Sequence, residues 1–182
     1  LERLAVDPAA RVVVVTGAGE TFSAGFDLDE FADAGLAERL WASSDRWHHR
    51  VLTFPLPTVA AVNGPALGGG FDLAVMCDLR VAAASARFAH PEHRFSQVVY
   101  APLHDLVGGA VARDLALTGR SVDAGEAERL GLVSRVVPDG SVLDEARAVA
   151  AEIAAAPRPV LEAMKAKILR RANVAMSATL EL

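Results

Sequence analysis

One arrangement, occurring twice, limits what this chain can fold into: an apolar run rich in β-branched residues that leads straight into a glycine turn. Residues 11–16 read RVVVVT and lead into Gly17-Ala18-Gly19 and then FSAGFDL. Residues 58–62 read TVAAV, break at Asn63-Gly64-Pro65 and cross Gly68-Gly69-Gly70. Runs without polar alternation belong to strands buried on both faces. The second run is followed by Phe71, Leu73, Ala74, Val75 and Cys77, the apolar spacing of a helix. Strand, glycine turn and buried helix is therefore the expected unit.

Further along, residues 31–53 carry a helical pattern, and residues 80–84 (RVAAA) read as a strand. Residues 108–117 read as a short helix. Asp123, with Glu126 three residues on, resembles the start of a helix that stops at Gly131. Residues 132–137 (LVSRVV) read as the last strand, and residues 143–156 and 159–171 as two amphipathic helices. Strands alternating with helices predict an α/β fold with mostly parallel strands. The expected division is an α/β core over residues 1–140 and a helical region over 141–182. Lys165, Lys167, Arg170 and Arg171 on the last helix read as a solvated or subunit-facing surface.

Two familiar motifs fail on inspection. Gly17-Ala18-Gly19 after a strand suggests a dinucleotide fingerprint, but Phe22 stands where its third glycine is needed. Thr21-Phe22-Ser23-Ala24-Gly25 lacks the first glycine of a nucleophile elbow. A formal net charge of −5 gives nucleic acid or an anionic membrane no electrostatic grip. No apolar run reaches the ~20 residues of a membrane span. The N-terminal LERLAVDPAAR has no signal-peptide pattern, and the single Cys77 fits a reducing compartment, so the cytoplasm is the expected location. The chain starts without Met, inside what reads as a helix end, and is expected to be incomplete at the front.

If the two buried strands are parallel neighbours, their glycine turns meet at one sheet edge, where open α/β folds bind ligands. One backbone N–H from each turn would make a two-donor oxyanion hole, of which losing one donor costs about 3–4 kcal/mol in catalysis. Asp72 and Glu92 bracket the same region. Two carboxylates in a partly dry cleft separate in pKa, so that one can hold a proton while the other acts as base. On spacing alone, Asp72 could equally cap its helix and Glu92 could be an ordinary loop residue. Asp29 and Glu30 read as residues of a helix start. His48 and His49, adjacent on a helix, point in different directions and read as a surface pair on a helix that could wall a pocket. His90, His93 and His104 could add acid/base capacity, although His104 beside Asp105 reads as a surface pair.

The segments VVVVTGAGETFSAGFDLDEF, PLPTVAAVNGPALGGGFDLAVMCDLRVAAASARFAHPE and LALTGRSVDAGEAERLGLVSRVVPDG together resemble the crotonase, or enoyl-CoA hydratase/isomerase, superfamily. The resemblance implies a spiral of ββα turns with a C-terminal helical part that mediates homotrimers, often paired into hexamers. It implies acyl-CoA thioester substrates, with coenzyme A as part of the substrate and neither a metal nor a separate cofactor. It assigns the oxyanion-hole N–H groups to Phe26 and Gly69, CoA contacts to Ala24, Phe26, Asp27, Leu28, Gly68 and Gly69, and the catalytic acids to Asp72 and Glu92.

The chain also departs from the family pattern. Hydratases usually carry Glu where Asp72 stands, and the missing methylene retracts the carboxylate by more than ~1 Å. FSQVVYAPLHDLVGG replaces the glycine-rich segment that usually follows the second acid. The resemblance thus implies an enoyl-CoA hydratase-type enzyme, with an enoyl- or dienoyl-CoA isomerase and a non-catalytic CoA-binding relative as alternatives.

Overall fold

The computed structural model describes residues 1–27, 29–30 and 34–172. A short helix α1 (Glu2–Val6) precedes strand β1 (Val13–Thr16), and helix α2 (Ala34–Leu52) follows it. The centre of the chain is β2 (Thr58–Val62), β3 (Ala66–Leu67) and helix α3 (Gly69–Met76), then β4 (Leu79–Ala83), β5 (Arg87–Ala89), a 3-10 turn (Pro91–Arg94) and helix α4 (Ala101–Thr118). The chain continues through β6 (Val122–Asp123), α5 (Ala124–Arg129), β7 (Arg135–Val137), α6 (Val142–Ala154) and α7 (Arg158–Ala172).

Two sheets result. The first is wholly parallel, in the order β1-β2-β4-β7. The second joins β3 to β5 in parallel and β5 to β6 antiparallel, and Ser23 makes a further parallel bridge to Ala66. After β2 the chain bends at Asn63-Gly64-Pro65, gives β3 to the second sheet, forms α3, and returns as β4 beside β2. The next passage repeats this with β4, β5 and α4. This is the expected ββα spiral, and the parallel α/β prediction holds.

The run at β2 is buried throughout because both faces of the sheet are covered there, whereas β1, at the sheet edge, buries Val13, half-buries Val14 and Val15 and exposes Thr16. Ala60, Val62 and Ala82 face inward, into a core with Phe71, Phe88, Leu103, Leu115 and Val122. Val59, Ala61, Val81 and Ala83 face outward, against Val142, Ala146 and Val149 of α6. The β-branched and small side chains that predicted a strand thus give it two packing surfaces. Arg80 is buried beneath α3, where its guanidinium donates to the carbonyls of Leu132 and Cys77, both at 2.6 Å.

Some expectations change. The helix expected over 108–117 starts at Ala101, with Pro102 in its first turn, where a missing N–H costs nothing. It kinks at Gly108 (φ 75°, ψ 162°). Leu132 and Val133 are not strand. Their N–H groups return to Ala127 O and close α5, so β7 begins only at Arg135. Lys165 is not on a solvated surface. It is 3% exposed and donates to both carboxylate oxygens of Asp78 at 2.6 Å, while Lys167 and Arg170 are exposed. The side chain of Arg171 and residues 173–182 lie outside the described part. Among the described residues, no helix is long and apolar enough to cross a membrane.

Candidate active site

The site begins with the pairing of β1 and β2, which are parallel neighbours, so that the turns following them meet. Gly25 (φ +86°) packs so closely on the second turn that a methyl group built on it would stand 2.9 Å from Gly69 N and 3.1 Å from Leu67 O. Gly69 opens α3, and a first-turn N–H has no carbonyl one turn back to bond. Phe26 follows Gly25 directly. The two turns assigned to the oxyanion hole are therefore in contact.

A cavity of about 350 Å³ opens over them. Ala24, Phe26, Gly68 and Gly69 line it, as do both acids, Asp72 and Glu92. Trp41, Ser44 and His48 give it a wall from α2, and Phe95 and Val99 close another side. The expectation that α2 walls a pocket is met. Phe26 and Trp41 contact edge to face, with ring centroids 5.7 Å apart. The lining is mostly apolar with a few convergent polar groups, as in small-molecule sites generally.

Asp72 sits in the first turn of α3 but does not cap it. The carboxylate is buried, and its Oδ1 lies 2.8 Å from Nε2 of His90. His90 is itself fully buried, its ring 4.6 Å from that of Phe71. Glu92 lies on the 3-10 turn, with its carboxylate over Gly68. Burial pushes the Glu92 carboxyl above its ordinary value, partly offset by its own backbone hydrogen bond, while Asp72 pushes it further up. Oε2 of Glu92 is buried without a hydrogen-bond partner among the described residues. One polar atom each from Asp72, His90 and Glu92 falls within 4.8 Å of the others. These are metal-ligand types, but His90 Nε2 is already engaged with Asp72.

His48 corrects the surface-pair expectation. It is 4% exposed, its Nδ1 lies 3.1 Å from Ser44 Oγ, and it lines the cavity, whereas His49 is exposed. Burial lowers the pKa of His48, opposed by the charges of Asp72 and Asp45. The imidazole is therefore favoured in its neutral form. His104 and Asp105 are both half-exposed, 3.7 Å apart, on the surface as expected.

Asp27 is exposed and does not line the cavity. Its Oδ1 accepts from the N–H groups of Asp29 and Glu30, so Asp27 is the capping residue and those two follow the cap. Leu28 lies outside the described residues. The link from His90 to Asp72 was not legible in the sequence. Its only signal was a histidine continuing the apolar strand RFA, a place where a polar side chain needs a buried partner.

The family model described as enoyl-CoA hydratase/isomerase matches residues 1–182. The chain belongs to this family. Within this crotonase superfamily, it is 48% identical over 162 residues to a putative enoyl-CoA hydratase of Thermus thermophilus, covering 85% of this chain and 64% of that one. It is 44% identical over 151 residues to a probable enoyl-CoA hydratase of Mycobacterium bovis, covering 81% and 59%. The chain thus spans less than two thirds of the length of these curated relatives. The crystal structure of an enoyl-CoA hydratase from Bacillus anthracis superposes with a TM-score of 0.90 at 33% identity, covering 99% of this chain and 72% of that one. The fold is therefore that of the family.

Proposed function

We propose that the protein is an acyl-CoA enzyme of the enoyl-CoA hydratase type. The observation that carries this reading is the placement of two carboxylates, Asp72 and Glu92, on one cavity whose floor is the joined pair of glycine turns. The N–H groups of Phe26 and Gly69 receive the thioester oxygen, and an enolate there is stabilised without reorganisation. Ala24, Phe26, Gly68 and Gly69 hold the thioester end of the substrate, and Asp27 and Leu28 are assigned to the CoA portion. No separate cofactor or metal is assigned.

Water oxygen bonds to Cβ as Asp72 takes one of its protons. The π pair of the Cα=Cβ bond moves toward the thioester and leaves negative charge on the carbonyl oxygen. The enolate then collapses as Cα takes a proton from Glu92, giving the 3-hydroxyacyl thioester. Burial favours the protonated form of Glu92, which suits it to deliver that proton.

An isomerase reading has its own support: Oδ1 of Asp72 is engaged by His90, which leaves Glu92 as the more mobile proton carrier. The test is product analysis with crotonyl-CoA and with a 3-enoyl-CoA. Hydration of crotonyl-CoA supports the hydratase reading. Double-bond migration without detectable water addition replaces it with the isomerase. No turnover of either, with CoA affinity retained, leaves the non-catalytic relative.

A homotrimer or hexamer belongs to the same proposal. Val160, Met164 and Ile168 stand four residues apart on α7 and are 51%, 50% and 49% exposed, an apolar stripe suited to a subunit contact. Sedimentation of the protein tests it. A cytoplasmic location is part of the reading and rests on the free thiol of Cys77.

A further inference from the structure

We propose that His90 is the positioning residue of Asp72: its Nε2–H donates to Asp72 Oδ1 and so aims the other carboxylate oxygen at the cavity. The mechanistic importance of this contact rests on the hydratase reading above, whereas the contact itself does not.

An aspartate on α3 is short. A free carboxylate there could rotate about two side-chain torsions, and a misplacement of ~1 Å at a reacting group can cost about 10²-fold in rate. The structure removes that freedom on one side only. Oδ1 is held at 2.8 Å by a ring that is itself fully buried and packed at a tilt of 31° against Phe71, with centroids 4.6 Å apart. The backbone around His90 is also fixed, since its carbonyl accepts from His93 N at 3.2 Å and lies 3.0 Å from His93 Nδ1. Asp72 also lines the cavity, so a carboxylate tied through one oxygen borders the substrate space.

The ring's proton follows from its surroundings. Nδ1 of His90 is buried and has no hydrogen-bond partner among the described residues. A proton there would be an unpaired buried donor, which costs more than an unpaired lone pair beside apolar atoms. The neutral tautomer with its proton on Nε2 satisfies the contact to Asp72 and leaves only the lone pair unmatched. His90 touches Asp72 and not the cavity, so it acts through that carboxylate.

Two measurements test this. Long-range proton–nitrogen NMR of the histidine rings reads the tautomer without any turnover. Assigned through loss of its signals in His90→Gln, His90 should carry its proton on Nε2, and a proton on Nδ1 overturns the proposal whatever the enzyme's activity. The second is steady-state hydration of crotonyl-CoA by His90→Gln and His90→Asn, with thermal melts of both. Gln keeps an N–H donor within reach of Oδ1, whereas Asn is too short. With both variants folded, Gln should stay within about threefold of the parent kcat and Asn should lose about tenfold or more, with KM changed less than about twofold in either. Equal kcat in the two variants, or a loss confined to KM, overturns it. In an Asp72→Ala background, the difference between Gln and Asn should vanish, and its persistence would show that His90 acts by another route. A parent enzyme that does not hydrate crotonyl-CoA counts against the hydratase reading alone, and the NMR result then decides for His90.

Discussion

Glu92 lies over the α-carbon of Gly68, where an added methyl group would stand 3.2 Å from Oε2 and 3.4 Å from Oε1. Gly68 also has φ 54° and ψ −128°, a conformation L side chains rarely adopt. The residue that leads into α3 is thus also the seat of the second acid. Gly68→Ala should displace that carboxylate by a few tenths of an ångström and lower kcat, by less than the about 10²-fold of a ~1 Å misplacement. Steady-state kinetics beside a thermal melt check this. A variant with a reduced melting temperature but parental kcat would show that Glu92 does not need its seat.

Gly25→Ala addresses the other turn. Its methyl group would press on Gly69 N, at a positive φ, and force the two turns apart. The loss should resemble removal of one oxyanion donor, about 10²–10³-fold in kcat. A thioester substrate whose KM moves far more than its kcat would argue that the turns bind CoA without holding the oxyanion.

Glu92→Gln should have opposite effects on activity and stability. Loss of the proton carrier should cost about 10²–10⁴-fold in kcat. The stability effect follows from burial, which raises the folded-state pKa. Below the ordinary carboxylate range both folded and unfolded chains hold the proton, so the two proteins should melt alike. As pH rises, the unfolded chain ionises freely while the folded one resists, and the parent loses stability until pH passes the folded-state value. The variant has nothing to ionise, so it should melt higher than the parent at neutral and alkaline pH. Melts across that range decide it, and a variant less stable at every pH would contradict it.

Lys165→Met tests the attachment of α7. Asp78 would keep the Thr58 N–H at 2.8 Å and the Thr58 hydroxyl at 3.0 Å, but lose its buried cation. Breaking one side of a buried pair typically costs about 3–5 kcal/mol. Urea unfolding should show a loss of that order. A loss below about 1 kcal/mol would place the pair among exposed ion pairs in energy.

Cys77 is buried, and burial pushes its thiol up to about 11. The thiolate is the reactive form, so the native protein should resist thiol reagents at mildly alkaline pH and react fully once denatured. Absorbance titration with a disulfide reagent, before and after adding guanidinium, reads both states. Rapid labelling of the native protein would show that α3 opens locally.

The residues themselves decided the fold class. RVVVVT and TVAAV both form strands, but only TVAAV is covered on both sides, by α6 and the inner core, whereas RVVVVT supplies the edge strand β1 and is mostly half-buried. The glycine turns were equally legible, because closely approaching backbones leave no room for a Cβ. Both acids could be named, and both line the cavity.

Partnership was not legible. Asp72 and His90 are 18 residues apart in sequence, and a histidine at the end of a buried strand signals only that it needs a partner, not which one. The same holds for His48, whose burial depends on how α2 lies against α3, and for Lys165, whose partner is 87 residues away. Periodicity and turn chemistry are set by neighbours along the chain, so the sequence by itself determined the central parallel strands and the glycine turns, while the two acids were named by the family resemblance. Which charge meets which buried partner depends on how those elements pack in space, and only the tertiary structure decided it.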